Sequence, residues 1–170
     1  MVQGARRRVG FRRRREGRTD YRRRLRLLRS GTARAVVRKS LNQVQVQIVG
    51  YDERGDRILA SAVSGELRDF GLAGATGNVP AAYLTGLLAG RRAVEKGITG
   101  AVLDLGVQRP AAGGRLFAAA KGLVDAGLAV PHGDDVFPSE DRVQGAHLGD
   151  ARRTEVAAVK AKVQGGTHDA

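Results

Sequence analysis

Arginine is the residue whose type and spacing carry the clearest chemistry in this chain. It stands in blocks at Arg6, Arg7 and Arg8 and at Arg12, Arg13, Arg14 and Arg15, recurs at Arg18, Arg22, Arg23 and Arg26, and is interleaved with Phe11 and Tyr21. A guanidinium meets phosphate with two parallel N–H donors and also lies flat on a base. An aromatic ring between such cations offers an unpaired base a stacking surface. Residues 1–40 hold sixteen basic side chains, fifteen of them Arg, against two acidic ones, a net +14 in a chain whose formal charge is +13. The other 130 residues therefore sum to −1, and the anionic partner that such a field calls for is met by one end of the chain.

That partner reads as nucleic acid, because this density of arginine exceeds what solubility requires. RNA is favoured over DNA: no zinc-finger, basic-zipper or helix-turn-helix pattern is present, and arginine-rich arms that fold on binding suit RNA. An acidic protein is a weaker alternative. An anionic membrane is weaker still, since the arm has no broad apolar face.

Catalysis finds no positive support. Neither glycine-rich phosphate motif occurs, and Gly71, Gly74 and Gly77 match neither spacing, so they read as a flexible loop or one that lets RNA backbone approach closely. His132, His147 and His168 are too scattered for a metal site, and cysteine is absent, which removes disulfides, thiolate ligands and a thiol nucleophile. Asp104, inside a nearly all-apolar run, is the candidate carboxylate, and with companions such as Asp56, Glu66 or Asp125 it could hold metal ions as a nuclease does. No motif joins these acids, so Asp104 reads better as a lone buried or strand-end carboxylate making hydrogen bonds. No cofactor, metal or small-molecule substrate is expected.

The elements that must position the arginines follow from the pattern of the chain. Residues 1–19 are too charged and too poor in apolar side chains to order alone, so they are expected to be disordered when free. Thr19 or Asp20 can cap a helix with Tyr21, Leu25 and Leu28 on one stripe and Gly31 as its stop. Strands are predicted at residues 35–39, 43–48 and 57–63, with Val44, Val46 and Ile48 facing one way and three glutamines the other. Ser64 is expected to cap a short helix through Phe70, and Asn78 a long one with Pro80 in its first turn. A covered strand at residues 101–105, a helix at about 114–126, a strand-like segment at 128–130 and a helix from Pro138 to about His147 complete the body. No apolar run is long enough to span a membrane, and no secretory signal is visible. The expected organisation is an arm with a short helix (1–33), an α/β body (34–148) and a tail (149–170). For that tail a weak amphipathic helix, another RNA contact and disorder all remain open.

Several long motifs, in order, resemble one family. They are Arg12-Arg13-Arg14-Arg15-Glu16-Gly17-Arg18-Thr19-Asp20-Tyr21-Arg22, Val36-Val37-Arg38-Lys39-Ser40, the run from Thr76 to Gly86, and Asp125-Ala126-Gly127 with Val130-Pro131-His132. Together they resemble the archaeal branch of the large-ribosomal-subunit protein eighteen family, related to the eukaryotic large-subunit protein five, over roughly residues 4–148. The resemblance implies an α/β fold of ribonuclease H-like topology: a mixed sheet of an antiparallel meander plus a parallel strand, with flanking helices and without catalytic acids. It implies a cytoplasmic, structural ribosomal protein that binds 5S rRNA and anchors it to large-subunit rRNA in the central protuberance, beside the other 5S-binding ribosomal protein. Arg12 to Arg15, Arg18, Tyr21, Arg22 and Arg23 then match the family's RNA-binding arm, and Arg38, Lys39 and Ser40 its basic strand end. Arg109, Arg115 and Arg142 match further segments. Where many archaeal members carry an Asn-Lys-His-like run after Ser40, this chain has Leu41-Asn42-Gln43. The rival reading is a non-ribosomal RNA-binding module or RNA chaperone.

Overall fold

A computed structural model describes residues 9–165; the expectations for Arg6, Arg7 and Arg8 lie outside them. The arm contains one helical turn, α1 (Arg12–Arg15), and a two-turn helix, α2 (Tyr21–Leu28). Asp20 is the cap: its Oδ1 accepts the backbone N–H of Arg22 at 3.0 Å and of Arg23 at 3.1 Å.

Strands β1 (Ala33–Lys39), β2 (Val44–Asp52) and β3 (Gly55–Val63) form the antiparallel meander, and β4 (Ala101–Asp104) joins β1 in parallel, giving the order β3-β2-β1-β4. The period-two alternation sorts the faces. Ala35 and Val37, Val44, Val46 and Ile48, and Ala60 and Ala62 all point into the core. Arg34, Val36 and Arg38 take the other face of β1, opposite Val49, Gln47 and Gln45 of β2.

Helix α3 (Val79–Glu95) lies on the dry face, buried without a break from Val79 to Gly90. Asn78 Oδ1 caps it through the Ala81 N–H at 2.9 Å, with Pro80 in the first turn. Helix α4 (Arg115–Asp125) crosses α3 so closely that backbone meets backbone. A Cβ on Gly86 would fall 2.0 Å from the Ala119 carbonyl oxygen, and one on Gly122 2.2 Å from that of Tyr83. Helix α5 (Glu140–Gln144) is shorter than expected, because Gly145 adopts φ +81° and turns the chain out of the helix. The tail is a helix, α6 (Asp150–Gly165), whose Val156, Val159 and Val163 are buried in the same core as α3.

Two further expectations shrink on contact with the fold. The segment after Val63 is a 3-10 turn over Ser64–Arg68, and Ser64 does not cap it: its Oγ accepts the Val44 N–H at 3.0 Å, while Glu66 accepts that of Val63 at 2.8 Å. The strand-like 128–130 is a single parallel bridge, Gly100 to Ala129, hemmed in by Gly127 at φ +94° and by Pro131, which has no N–H to continue a ladder.

Candidate nucleic-acid interface

The arm lies against the polar face of the sheet, and ionic hydrogen bonds hold it there. Arg24 Nη2 of α2 donates to both carboxylate oxygens of Asp56, at 2.8 and 2.9 Å, near the start of β3. Arg23 Nη1 donates to the Gly106 carbonyl, just past β4, at 3.1 Å. Since β3 and β4 are the outer strands, α2 is tied to both sides of the sheet. The stripe that docks differs from the expected one. Tyr21, Arg24, Leu27 and Leu28 are half-buried, whereas Leu25 is 53% exposed; the helix turns an arginine inward because Asp56 waits beneath it.

Below α2 sits a lattice of alternating charges. Arg34, 2% exposed, donates from Nη1 to Asp104 Oδ2 at 2.8 Å and from Nη2 to Asp56 Oδ2 at 2.7 Å, while its Nε has no partner. Arg38 donates from Nη1 to the carbonyls of Val37 and Asp104, both at 2.8 Å, and from Nη2 to Asp104 Oδ1 at 3.3 Å. That oxygen also accepts the Gly106 N–H at 2.8 Å. Burial pushes the Asp104 carboxyl up, but the Gly106 N–H and the two guanidiniums outweigh it and hold the group below its usual range. Asp56 is likewise held low: burial raises it, and Arg24 and Arg34 more than reverse that. Asp104 is thus the strand-end, hydrogen-bonded aspartate expected of it. Its oxygens face cations, and among the described residues no group of three or more His, Asp or Glu is placed to hold a metal ion.

The predicted contact residues separate into those the fold gathers and those it does not. Arg12, Arg13, Arg14, Arg15, Arg18, Arg22, Arg23 and Arg26 are exposed on the arm. Arg13 Nε donates to Thr19 Oγ1 at 2.9 Å, and Arg12 and Arg18 flank Glu16 at 3.8 and 3.2 Å. Phe11 and Tyr21 pack on one another, ring centroids 5.2 Å apart at 48°, with Phe11 70% exposed. Lys39 and Arg109 are exposed near the same end of the sheet, where Gln108 Oε1 accepts the Lys39 N–H at 3.2 Å. Ser40 is engaged locally, its Oγ accepting the Gln43 N–H at 3.0 Å. Arg115 is a clamp: Nη1 donates to the carbonyls of Gly77 at 2.7 Å, Ser40 at 3.1 Å and Leu41 at 3.3 Å. Arg142 stands apart on α5, which packs on α3 and α6, the opposite layer from the arm.

Sequence reasoning missed Arg24 and Arg34, the two arginines that join arm to body. Arg34 carries a signal in hindsight, a cation between apolar residues in a strand; Arg24 carries none, because its partner lies 32 residues away. Of the two readings of the glycine-rich loop, flexible or open to close approach of RNA backbone, the first does not hold, because the fold anchors it. Its amides at Ala73 and Gly74 donate to Glu155 of α6, and Thr76 Oγ1 donates to the Asn42 carbonyl at 2.8 Å.

Comparison with known proteins matches the sequence of this chain to a family. The family model described as ribosomal large subunit proteins 60S L5 and 50S L18 matches residues 5–100 and 95–133. The large ribosomal subunit protein uL18 of the archaeon Methanococcoides burtonii is 54% identical over 148 residues, 87% of this chain and 86% of that protein. A match of that extent takes in the latched arm, the sheet and α3 to α5 together, and the chain belongs to the family of ribosomal large subunit proteins 60S L5 and 50S L18.

Proposed function

We propose that this chain, as a constituent of the large ribosomal subunit, binds 5S rRNA through its arm and the adjoining end of the sheet and anchors it to large-subunit rRNA in the central protuberance, next to the other 5S-binding ribosomal protein. The observation that carries the reading is the latch of Arg24 on Asp56, with α2 spanning the sheet. It presents Arg22, Arg26 and the α1 arginines from a fixed platform rather than a free polycation. Phosphate contacts supply most of the affinity and fix the register, and the platform supplies shape selectivity. Arg12 to Arg15, Arg18, Arg22, Arg23, Arg26, Lys39 and Arg109 are the proposed phosphate contacts, with Phe11 and Tyr21 available to bases.

The test is binding of 5S rRNA against tRNA over a salt series, for the full chain and for a variant with Arg12 to Arg15 all changed to Gln. Substitution is better than truncation, because removing α2 would uncover Arg34 and Asp56. The expected result is a preference for 5S rRNA of about a hundredfold, or about 2.7 kcal/mol, and a log-log salt slope that falls by roughly 0.7 to 0.9 for each phosphate that the variant no longer neutralises. Equal binding of tRNA would overturn the 5S reading.

A further inference from the structure

Two hollows adjoin where the arm meets the sheet, and they differ in chemistry. The first, about 450 Å³, is bordered by Arg13, Arg18, Arg23 and Arg38. The carboxylates that also border it are committed: Asp20 to the α2 amides, Asp56 to Arg24 and Arg34, and Asp104 to Arg34, Arg38 and the Gly106 N–H. The four arginines keep donors to spare, although Arg38 is partly engaged by Asp104 and Val37 and Arg18 pairs through Nε with Glu16. Arg13 has given only Nε, to Thr19, and Arg23 only Nη1, to Gly106, which leaves donors on each. An excess of guanidinium donors around a hollow whose carboxylates already hold partners is a seat for a phosphate.

The second hollow, about 400 Å³, is formed by Gly17, the Tyr21 ring and Val107, flanked by Arg14 and Arg22. Val107 is 53% exposed, an apolar patch on a basic surface, and the packing of Phe11 fixes the Tyr21 ring. Apolar walls with cationic flanks suit the face of a base and not a phosphate. Thr19, Asp20 and Tyr21 border both hollows, and Gly106 of the first precedes Val107 of the second, so the two are neighbours.

We propose that the arm and the sheet end form a two-part pocket for one unpaired nucleotide of RNA, its phosphate among Arg13, Arg18, Arg23 and Arg38 and its base against Tyr21 and Val107. The inference rests on the reading that RNA is the partner, and adds that the arm captures a single extruded nucleotide in addition to lying along a backbone. The docked α2 preorganises the pocket, so part of the ordering cost is met before RNA arrives.

The test uses the full chain and a 5S rRNA transcript over a salt series. One variant carries Arg13→Gln with Arg18→Gln. Its control carries Arg12→Gln with Arg15→Gln, which removes the same charge from the same stretch of arm but from outside both hollows. The pocket predicts that the first pair loses at least about tenfold more affinity than the second, as expected when a seated phosphate and a stacked base are released together. Val107→Ser, a surface change that leaves the latch intact, should weaken binding severalfold without altering the salt slope, and should expose to base-modifying reagents one nucleotide that wild type and the flanking pair both protect. Equal losses in the two pairs, or a silent Val107→Ser, would overturn the pocket. The same variants on tRNA separate the two claims. If wild type fails to prefer 5S rRNA, the 5S reading falls, and the pocket stands only if the Arg13/Arg18 pair still drops below the Arg12/Arg15 pair.

Discussion

Arg34 and Asp104 face each other across the parallel pairing of β1 with β4, Nη1 to Oδ2 at 2.8 Å, with side chains only 3% and 8% exposed. A charge pair this deep carries a desolvation penalty, and it stabilises only while both members keep their partners. Here each member has two. Arg34 bridges Asp104 to Asp56, and Asp104 bridges Arg34 to Arg38, so the lattice runs from β3 to β4 beneath α2 and links the sheet to the arm through Arg24.

Removing one member should therefore cost more than removing both. Asp104→Ala leaves Arg34 buried and half-paired, and the expected loss is about 3–5 kcal/mol in urea denaturation at neutral pH. Combining it with Arg34→Met, which replaces the guanidinium by an apolar side chain, should restore a large part of that loss. A double variant no more stable than Asp104→Ala alone would show that shape, rather than charge balance, governs the site.

The same carboxylates set the response to acid. Asp104 and Asp56 are held below their ordinary range in the folded chain, so the folded state binds fewer protons than the unfolded one. Their contribution is fully present above the unfolded value of about 3.9 and is lost as pH falls through the lower folded values. The urea midpoint should stay flat in these groups from pH 7 to about 5 and fall below about pH 4, and Asp104→Asn should make that acid limb shallower. An acid limb of equal steepness in the variant would assign it to other groups.

The parts of the fold that local pattern controls are legible in the sequence. The alternation of Val44, Val46 and Ile48 with glutamines defines the faces of β2, and Asn78 with Pro80 marks the start of α3. What is not legible depends on partners far along the chain. Leu25 belongs to the apolar stripe by spacing, yet Arg24 takes the inward place because Asp56 lies beneath it, and no periodicity encodes that. The loop from Gly71 to Gly77 looks free by composition because its anchors, Glu155 and Asn42, lie 81 and 34 residues from Gly74 and Thr76 respectively. The tail is ambiguous for the same reason: its three valines are a weak stripe alone and a decisive one against α3.

The α3–α4 crossing should be intolerant of a single methyl group. A Cβ on Gly86 or Gly122 would meet backbone at 2.0 and 2.2 Å, and backbone cannot rotate away as a flexible side chain can. Gly86→Ala and Gly122→Ala should each destabilise by at least about 1–3 kcal/mol, the cost of overpacking a tight core. Gly133→Ala, where nothing lies within 4 Å of the added atom, is the matched control and should be close to neutral.

Arg115 and Arg109 share a charge and a neighbourhood but should differ in role. Arg115 commits its Nη1 to the carbonyls of Gly77, Ser40 and Leu41, which fixes the β1–β2 turn to the start of α3; Arg109 is exposed. Arg115→Met, which keeps the stem and removes the donors, should lower the urea midpoint and loosen that turn, with amide exchange at Gln43 rising. It should leave the salt slope of RNA binding nearly unchanged. Arg109→Gln should do the reverse, leaving the midpoint alone and reducing the slope by roughly 0.7 to 0.9, the share of one phosphate. If instead Arg115→Met flattens the slope while the midpoint holds, Arg115 touches RNA directly and its three carbonyl bonds are exchanged for a phosphate on binding.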